Sequence, residues 1–233
     1  HICNHICNHT LLLIYPEQAA ALRPALTAAL VALVAPGSSA VFANGESNEM
    51  QLAAMAGLLG RALLVSPPLF SAVVTDVSSA CALPNAHVHF ASRWLQLSDS
   101  MLLSVHRKLA ALALATLLPL DAASLPLVGE ILSFCVGVLE ELEPMGDGGP
   151  VLRAVSVGGG LSRGFALGAG EHADFTGRMA EAGLDPVPDL ELRPALKQLI
   201  ASCQSAHGDA FDAQVRALDA DLMAQVRRVF GAV

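Results

Sequence analysis

Apolar positions along the chain fall into short blocks separated by clusters of Pro, Gly and Asn, and the spacing inside each block predicts its element. Leu11 to Tyr15 (LLLIY) is a continuous apolar run of strand length. Pro16-Glu17 opens a helix, with Pro and an acid in its first turn, that runs to about Ala35 and stops at Pro36-Gly37. Ser39 to Ala43 (SAVFA) reads as the next buried strand, and NGESNE as a turn. Met50 to Leu59 reads as a helix closed by Gly60, and RALLVS, starting at Arg61, as a third strand. The order β-α-β-α-β with short connections predicts a parallel sheet covered by helices. FSAVVTDV (from Phe70) and AHVHFA (to Ala91) read as two further strands, a β-ribbon.

Beyond Ser98-Asp99, an N-cap pair, the spacing turns helical. Helices are predicted over about Met101 to Leu117 and Pro126 to Leu142, the second with Ile131, Phe134, Cys135, Val138 and Leu142 on one face. GDGGP is a loop, and the glycine-rich stretch 151–170 is a loop or a bent element. Further helices are predicted at His172 to Ala182, Leu190 to Ala206 and Asp209 to Phe230. The last carries the stripe Phe211, Val215, Leu218, Leu222, Val226 and Phe230. The expected fold class is α/β. An irregular leader or junction (1–10) precedes an incomplete Rossmann-like parallel sheet (11–97), and an all-α C-terminal domain follows (98–233). No repeat of solenoid length is visible.

Composition narrows the function classes. With 54% hydrophobic and 15% charged residues in 233, the chain builds a core and is not disordered. The net charge of -8, with no Lys/Arg run, argues against a nucleic-acid partner, although single arginines and backbone N–H groups can hold small anions. The longest uncharged stretch, between Arg23 and Glu46, is cut at Pro36-Gly37-Ser38-Ser39, short of the ~20 residues a membrane span needs. No secretory signal is visible. The five cysteines, Cys3, Cys7, Cys81, Cys135 and Cys203, are odd in number and scattered, which fits a reduced, cytoplasmic compartment.

Several segments carry candidate chemistry. In HICNHICNHT, His1, His5 and His9 lie four apart, as do Cys3 and Cys7, and these side chains are ligands for zinc, nickel or copper. A tandem tetrapeptide at a terminus is a poor scaffold, so it reads as a junction and no metal site is assigned. The first residue is His, so the chain is expected to begin downstream of its gene's start. HVH (His87 to His89) would place two imidazoles on one strand face, with a solvated face as the favoured reading. GDGGP resembles the nucleophile loop of trypsin-like proteases but lacks the serine, and GGGLSRG has the wrong glycine spacing for a dinucleotide fingerprint. FANGESNE directly follows a predicted strand, where open parallel sheets bind ligands.

The run LLLIYPEQAAALRPALTAALVALVAPGSSAVFANGESNE resembles the second half of the cofactor domain of ketopantoate reductases. In that family a strand, a helix and a strand lead into a turn whose asparagine lies in the active site; here the turn reads Ala43-Asn44-Gly45. GEHADFTGRMAEAGLDPVP (Gly170 to Pro188) resembles the segment carrying the family's active-site glutamate, with Glu171, Asp174 and Gly177 in its frame. VHRKLAALA resembles the helix of the catalytic lysine, matched by Lys108. The resemblance implies an oxidoreductase that reduces a small 2-oxo acid or related carbonyl with NADPH. Lys108 would be the general acid, Asn44 and Glu171 would position the substrate, and Asn44 and Gly45 would lie at the NADP. It also implies a C-terminal domain like that of 6-phosphogluconate dehydrogenases and a small-molecule substrate. Separately, the apolar helices of the second half offer a surface for a homodimer, with the oligomeric state left open.

Three features depart from that pattern. Leu112 stands where the family has an asparagine one helical turn after the lysine, Pro16-Glu17 replaces a lysine-bearing strand end, and the first strand with its glycine-rich phosphate loop is absent. An upstream segment, a degenerate relative, or a different α/β plus α protein would each account for this. The alternative function is a non-catalytic binding or interaction protein that kept the fold without the cofactor site.

Overall fold

The computed structural model describes residues 20–35, 49–101, 103–142, 187, 188 and 190–231. Among these there are nine α-helices, short 3-10 segments and no strand. In chain order the helices are α1 (Arg23–Val34), α2 (Glu49–Val65), α3 (Pro67–Ala80), α4 (Ala86–Gln96), α5 (Ser104–Leu117), α6 (Val128–Leu142), α7 (Leu192–His207), α8 (Asp209–Arg216) and α9 (Ala220–Phe230). A 3-10 turn at 20–22 leads into α1, and the 3-10 helices Ser98–Ser100 and Ala122–Leu127 lead into α5 and α6.

The expected Rossmann-like sheet is therefore corrected. RALLVS is mostly the last turns of α2, FSAVVTDV lies inside α3, and AHVHFA opens α4. An apolar run of six to eight residues shows no clear period, so a buried helix turn and a buried strand look alike in it. What separates them here is context. Ser66-Pro67-Pro68 places prolines in the first turn of α3, where a missing N–H costs nothing. The Leu- and Ala-rich α2 carries mostly strong helix formers, its two glycines apart. The strands expected at Leu11 to Tyr15 and Ser39 to Ala43, and the helix at His172 to Ala182, lie outside the described residues.

Gly60 does not end α2. Its missing side chain admits a neighbour: a Cβ there would sit 2.2 Å from Cη2 of the fully buried Trp94 and 3.2 Å from Cβ of Ala113. The glycine is the contact point at which α2 meets α4 and α5.

Each helix buries a stripe. In α1 it is Leu26, Ala29, Leu30 and Leu33, the i, i+3, i+4, i+7 set. The two central helices are buried nearly all round. α2 hides every residue from Leu58 to Leu63, and α5 every residue from Leu109 to Ala115. Four alanines in that part of α5 (Ala110, Ala111, Ala113 and Ala115) keep its surface thin enough for neighbours on several sides. The expected faces of α6 and of the C-terminal stripe are observed, with Ile131, Cys135, Val138, Phe211, Val215, Val226 and Phe230 buried. The single long helix expected from Asp209 is instead two: the chain breaks at Asp219, whose carboxylate accepts a hydrogen bond from Leu222 N (2.7 Å) and caps α9.

Contacts follow chain order. α1 packs on α2, α3 and α4; α2 on α3 and α5; α5 on α6 and α7; and α6 and α7 on α8 and α9. Such near-neighbour stacking is the arrangement of a helical repeat array. Polar ties run between the same neighbours: Arg23 forks onto Asp76 (2.7 and 2.6 Å), Arg107 pairs with Glu141 (2.9 Å), and Arg228 pairs with Glu140. One helical run, Ala122–Leu142, is long and apolar enough to cross a membrane; 56% of its apolar window is buried against the rest of the chain, as in a core helix.

Burial sets the thiol chemistry. It pushes Cys135 up to about 12 and Cys203 up to about 11, whereas Cys81 is only partly buried. The thiolate is the reactive form, so brief iodoacetamide treatment of the native protein at neutral pH is expected to label Cys81 and spare Cys135 and Cys203. Peptide mapping by mass spectrometry checks this, and labelling of Cys135 at the rate of Cys81 would contradict the described burial.

Candidate functional site

Of the residues singled out from the sequence, Lys108 lies on α5, partly buried, and its ammonium donates a hydrogen bond to the Pro188 carbonyl (2.8 Å). It thereby ties α5 to the chain entering α7. Asn44, Gly45 and Glu171 lie outside the described residues, as do the terminal His/Cys repeat and the glycine-rich stretch 151–170. His87 and His89 sit on a helix, not a strand. Two positions apart on a helix is about 200° of rotation, so they face different ways, with His87 half-buried and His89 exposed.

Leu112, one turn beyond Lys108, helps to line an apolar groove of about 380 Å³. Three helices build it. α2 contributes Arg61, Leu64 and Val65, α5 contributes Leu112 and Thr116, and α7 contributes Ala195, Gln198, Leu199 and Ser202. Val187 and Leu190 close one end. The groove exists because α2 and α7 both pack on α5, side by side. Its walls are mostly aliphatic, with the polar ends of Gln198 and Ser202 exposed at the rim. Arg61 is the one charged residue among the described lining residues, and it is only 7% exposed. On the α5 side, part of His106 reaches solvent, yet crowding by the protein and the Arg61 charge together hold its pKa below the usual histidine value.

A second cavity, shallow and polar, lies where α3, α4 and the 3-10 helix before α6 converge. Thr75, Ser78, Ser79, Asn85, His87 and Asp121 line it. His87 Nε2 is 3.3 Å from Asp121 Oδ2, an ion-pair distance without hydrogen-bond alignment. The other oxygen of Asp121 accepts from Ala123 N (2.9 Å) and caps the 3-10 helix. Burial lowers the pKa of His87 below 6.5; Asp121 opposes the shift and His89 adds to it. The unfolded chain therefore takes up this proton at a higher pH than the folded one. Stability is full above pH 6.5 and falls as the pH drops through that value toward the lower folded one. In urea titrations across this window, His87→Gln is expected to flatten the slope of stability against pH. An unchanged slope would assign the effect to other groups.

Neither cavity gathers a nucleophile, base and oxyanion donors into a catalytic constellation, and no group of three or more metal-ligating side chains occurs among the described residues. The sequence reading missed the groove because two of its walls, in α2 and α7, lie 130 residues or so apart in the chain (Leu64, Leu199) and one of them was assigned to a strand. No local motif signals such a surface.

The family model for importin-11-like TPR repeats matches residues 10–231. No curated protein and no solved structure matches the chain. The family match and the helical architecture overturn the resemblance to ketopantoate reductases and, with it, the oxidoreductase function, the Rossmann-like fold and the 6-phosphogluconate dehydrogenase likeness of the C-terminal part. Of the segments that carried the resemblance, Val105 to Ala113 lies in α5, while most of the other two lies outside the described residues. The alternative, a non-catalytic binding or interaction protein, fits better. A small-molecule substrate has no support, and NADP entered with the reductase resemblance alone.

Proposed function

The chain belongs to the importin-11-like TPR-repeat family, and from that premise we propose that it is a non-catalytic module whose stacked helices bind another protein. The observation that carries this is the apolar groove across α2, α5 and α7. Stacked helix pairs expose faces that a single helix pair cannot complete, and such arrays use those faces to hold partner chains. A groove with aliphatic walls and few polar groups suits apolar side chains of a protein segment, the mode in which buried anchors carry most of the affinity.

The test is affinity capture with the purified chain and, in parallel, with Leu199→Asp, quantified by mass spectrometry. Leu199 is half-buried on the groove wall, so the charge spoils the groove at modest cost to the fold. One or a few proteins are expected to be held by the native chain and lost from the variant. If nothing is held above the bare matrix, the reading fails.

A further inference from the structure

We infer that the polar cavity between α3, α4 and the 3-10 helix Ala122–Leu127 holds one divalent transition-metal ion of the zinc class, bound by His87 Nε2 and Asp121 Oδ2. The inference is independent of the apolar groove and of the protein-binding reading. It starts from a contact that neither neutral tautomer of His87 satisfies. Nε2 is closed to solvent, has no hydrogen-bond partner and lies 3.3 Å from the carboxylate oxygen. With the proton on Nε2, a buried N–H points off its acceptor and goes unpaired. With the proton on Nδ1, the bare Nε2 lone pair confronts a carboxylate, and two electron-pair donors repel. A cation between the two atoms relieves both arrangements, and a proton supplies that charge only through the same unaligned N–H contact.

The separation fits an ion. Two ligands bonded at about 2.0–2.1 Å to a tetrahedral centre lie roughly 3.3–3.4 Å apart, and His87 Nε2 and Asp121 Oδ2 are 3.3 Å apart. Both ligands are held in place. His87 sits in the first turn of α4, and Oδ1 of Asp121 accepts from Ala123 N at 2.9 Å, which leaves Oδ2 for the ion. Two protein ligands leave two positions of a tetrahedral shell to water or to the polar groups of Ser78 and Asn85, which line the same cavity of about 380 Å³. The imidazole selects the element: zinc, cobalt, nickel and copper take it readily, whereas magnesium and calcium prefer shells made of oxygen alone. With half a shell supplied by the protein, the affinity lies well below that of a four-ligand structural site. The bound ion would tie α4 to the segment that enters α6.

The terminal repeat carries ligands for the same ions, so the test uses the full chain with His1→Ala, Cys3→Ala, His5→Ala, Cys7→Ala and His9→Ala together. Zinc chloride is titrated into this metal-free chain by calorimetry, and then into His87→Gln and Asp121→Asn made in the same background. Asparagine also caps helices, so Asp121→Asn removes the ligand charge and keeps the bond to Ala123 N. Circular dichroism verifies the fold of each variant. One zinc per chain is expected, with binding at least about tenfold weaker in each variant, the size of effect that even outer-shell partners of a metal reach. Cobalt chloride is expected to give a visible absorption band that His87→Gln abolishes, and magnesium chloride is expected to give no binding heat. No zinc bound by the repeat-free chain, an affinity unchanged by His87→Gln or by Asp121→Asn, or magnesium bound as well as zinc would each overturn the inference.

Discussion

Gly60→Ala is expected to destabilise the protein by about 2 kcal/mol or more, although alanine is the better helix former. In an exposed helix interior the change would gain roughly 1 kcal/mol. Here the added methyl would sit 2.2 Å from one ring carbon of Trp94 and 2.7 Å from another, with Ala113 closing the other side. Trp94 has no room to retreat: it is fully buried and its ring lies tilted against Phe90 at 5.2 Å, which in turn meets Phe70 at 5.7 Å. Overpacking of this kind costs about 1–3 kcal/mol and sometimes more, enough to reverse the propensity gain. The partner change is Trp94→Phe. It leaves a cavity but removes the atoms that clash and a buried indole N–H with no hydrogen-bond partner, so alone it is expected to cost roughly 1–3 kcal/mol. The double variant is expected to be more stable than the sum of the two by at least about 1 kcal/mol, since the new methyl fills part of the vacated space. Urea denaturation of the four proteins measures this. Additivity, or a more stable Gly60→Ala, would mean that α2 and α4 do not meet at this point.

That contact also shows where sequence reading stops. Gly60 reads as a helix terminator by local rules, and its partner lies 34 residues on, three residues past a segment (AHVHFA) read as a strand. Glycine in mid-helix is a tertiary decision made by Trp94. Long segments with one apolar face were legible: the helix of α1 and its stop before Pro36, the face of α6 and the extent of α7. Segments buried on several sides were legible in part: α5 reads as a helix over nearly its observed length, but α2, buried all round from Leu58 to Leu63, is cut at Gly60 and its end reads as a strand. The repeat architecture was hidden for a related reason. The helices range from 8 to 17 residues, so no fixed spacing recurs, and each buries whatever mixture of Leu, Ala and Val its neighbours accept. The break at Asp219 escaped because the apolar stripe continues in step across it, from Val215 through Leu218 to Leu222. Of the site, Lys108 was singled out through a resemblance that the fold overturns; its tie to Pro188 depends on a fold that brings residues 80 apart together.

Phe211→Ala is expected to unfold the C-terminal helices while leaving the N-terminal ones protected. Phe211 is 1% exposed on α8, and replacing a buried phenylalanine by alanine costs about 3–5 kcal/mol. Where that cost appears depends on the connectivity of the stack. α8 packs on α7, α6 and the 3-10 helix before α6, and α9 on α6 and α7, whereas α1 finds its substantial contacts in α2, α3 and α4. In a chain of near-neighbour contacts, stability is a sum over adjacent units, and a weakened end can open without the rest. Hydrogen exchange followed by mass spectrometry is therefore expected to show protection lost in α8 and α9 and reduced in α7, with α1 to α4 exchanging as in the native protein. Equal loss across all nine described helices would show that the single buried core, continuous from Leu26 to Phe230, opens only as a whole. The distinction bears on function. If the C-terminal end opens by itself, the variant also loosens α7, one wall of the groove, and partner capture should weaken while α2 and α5 remain folded.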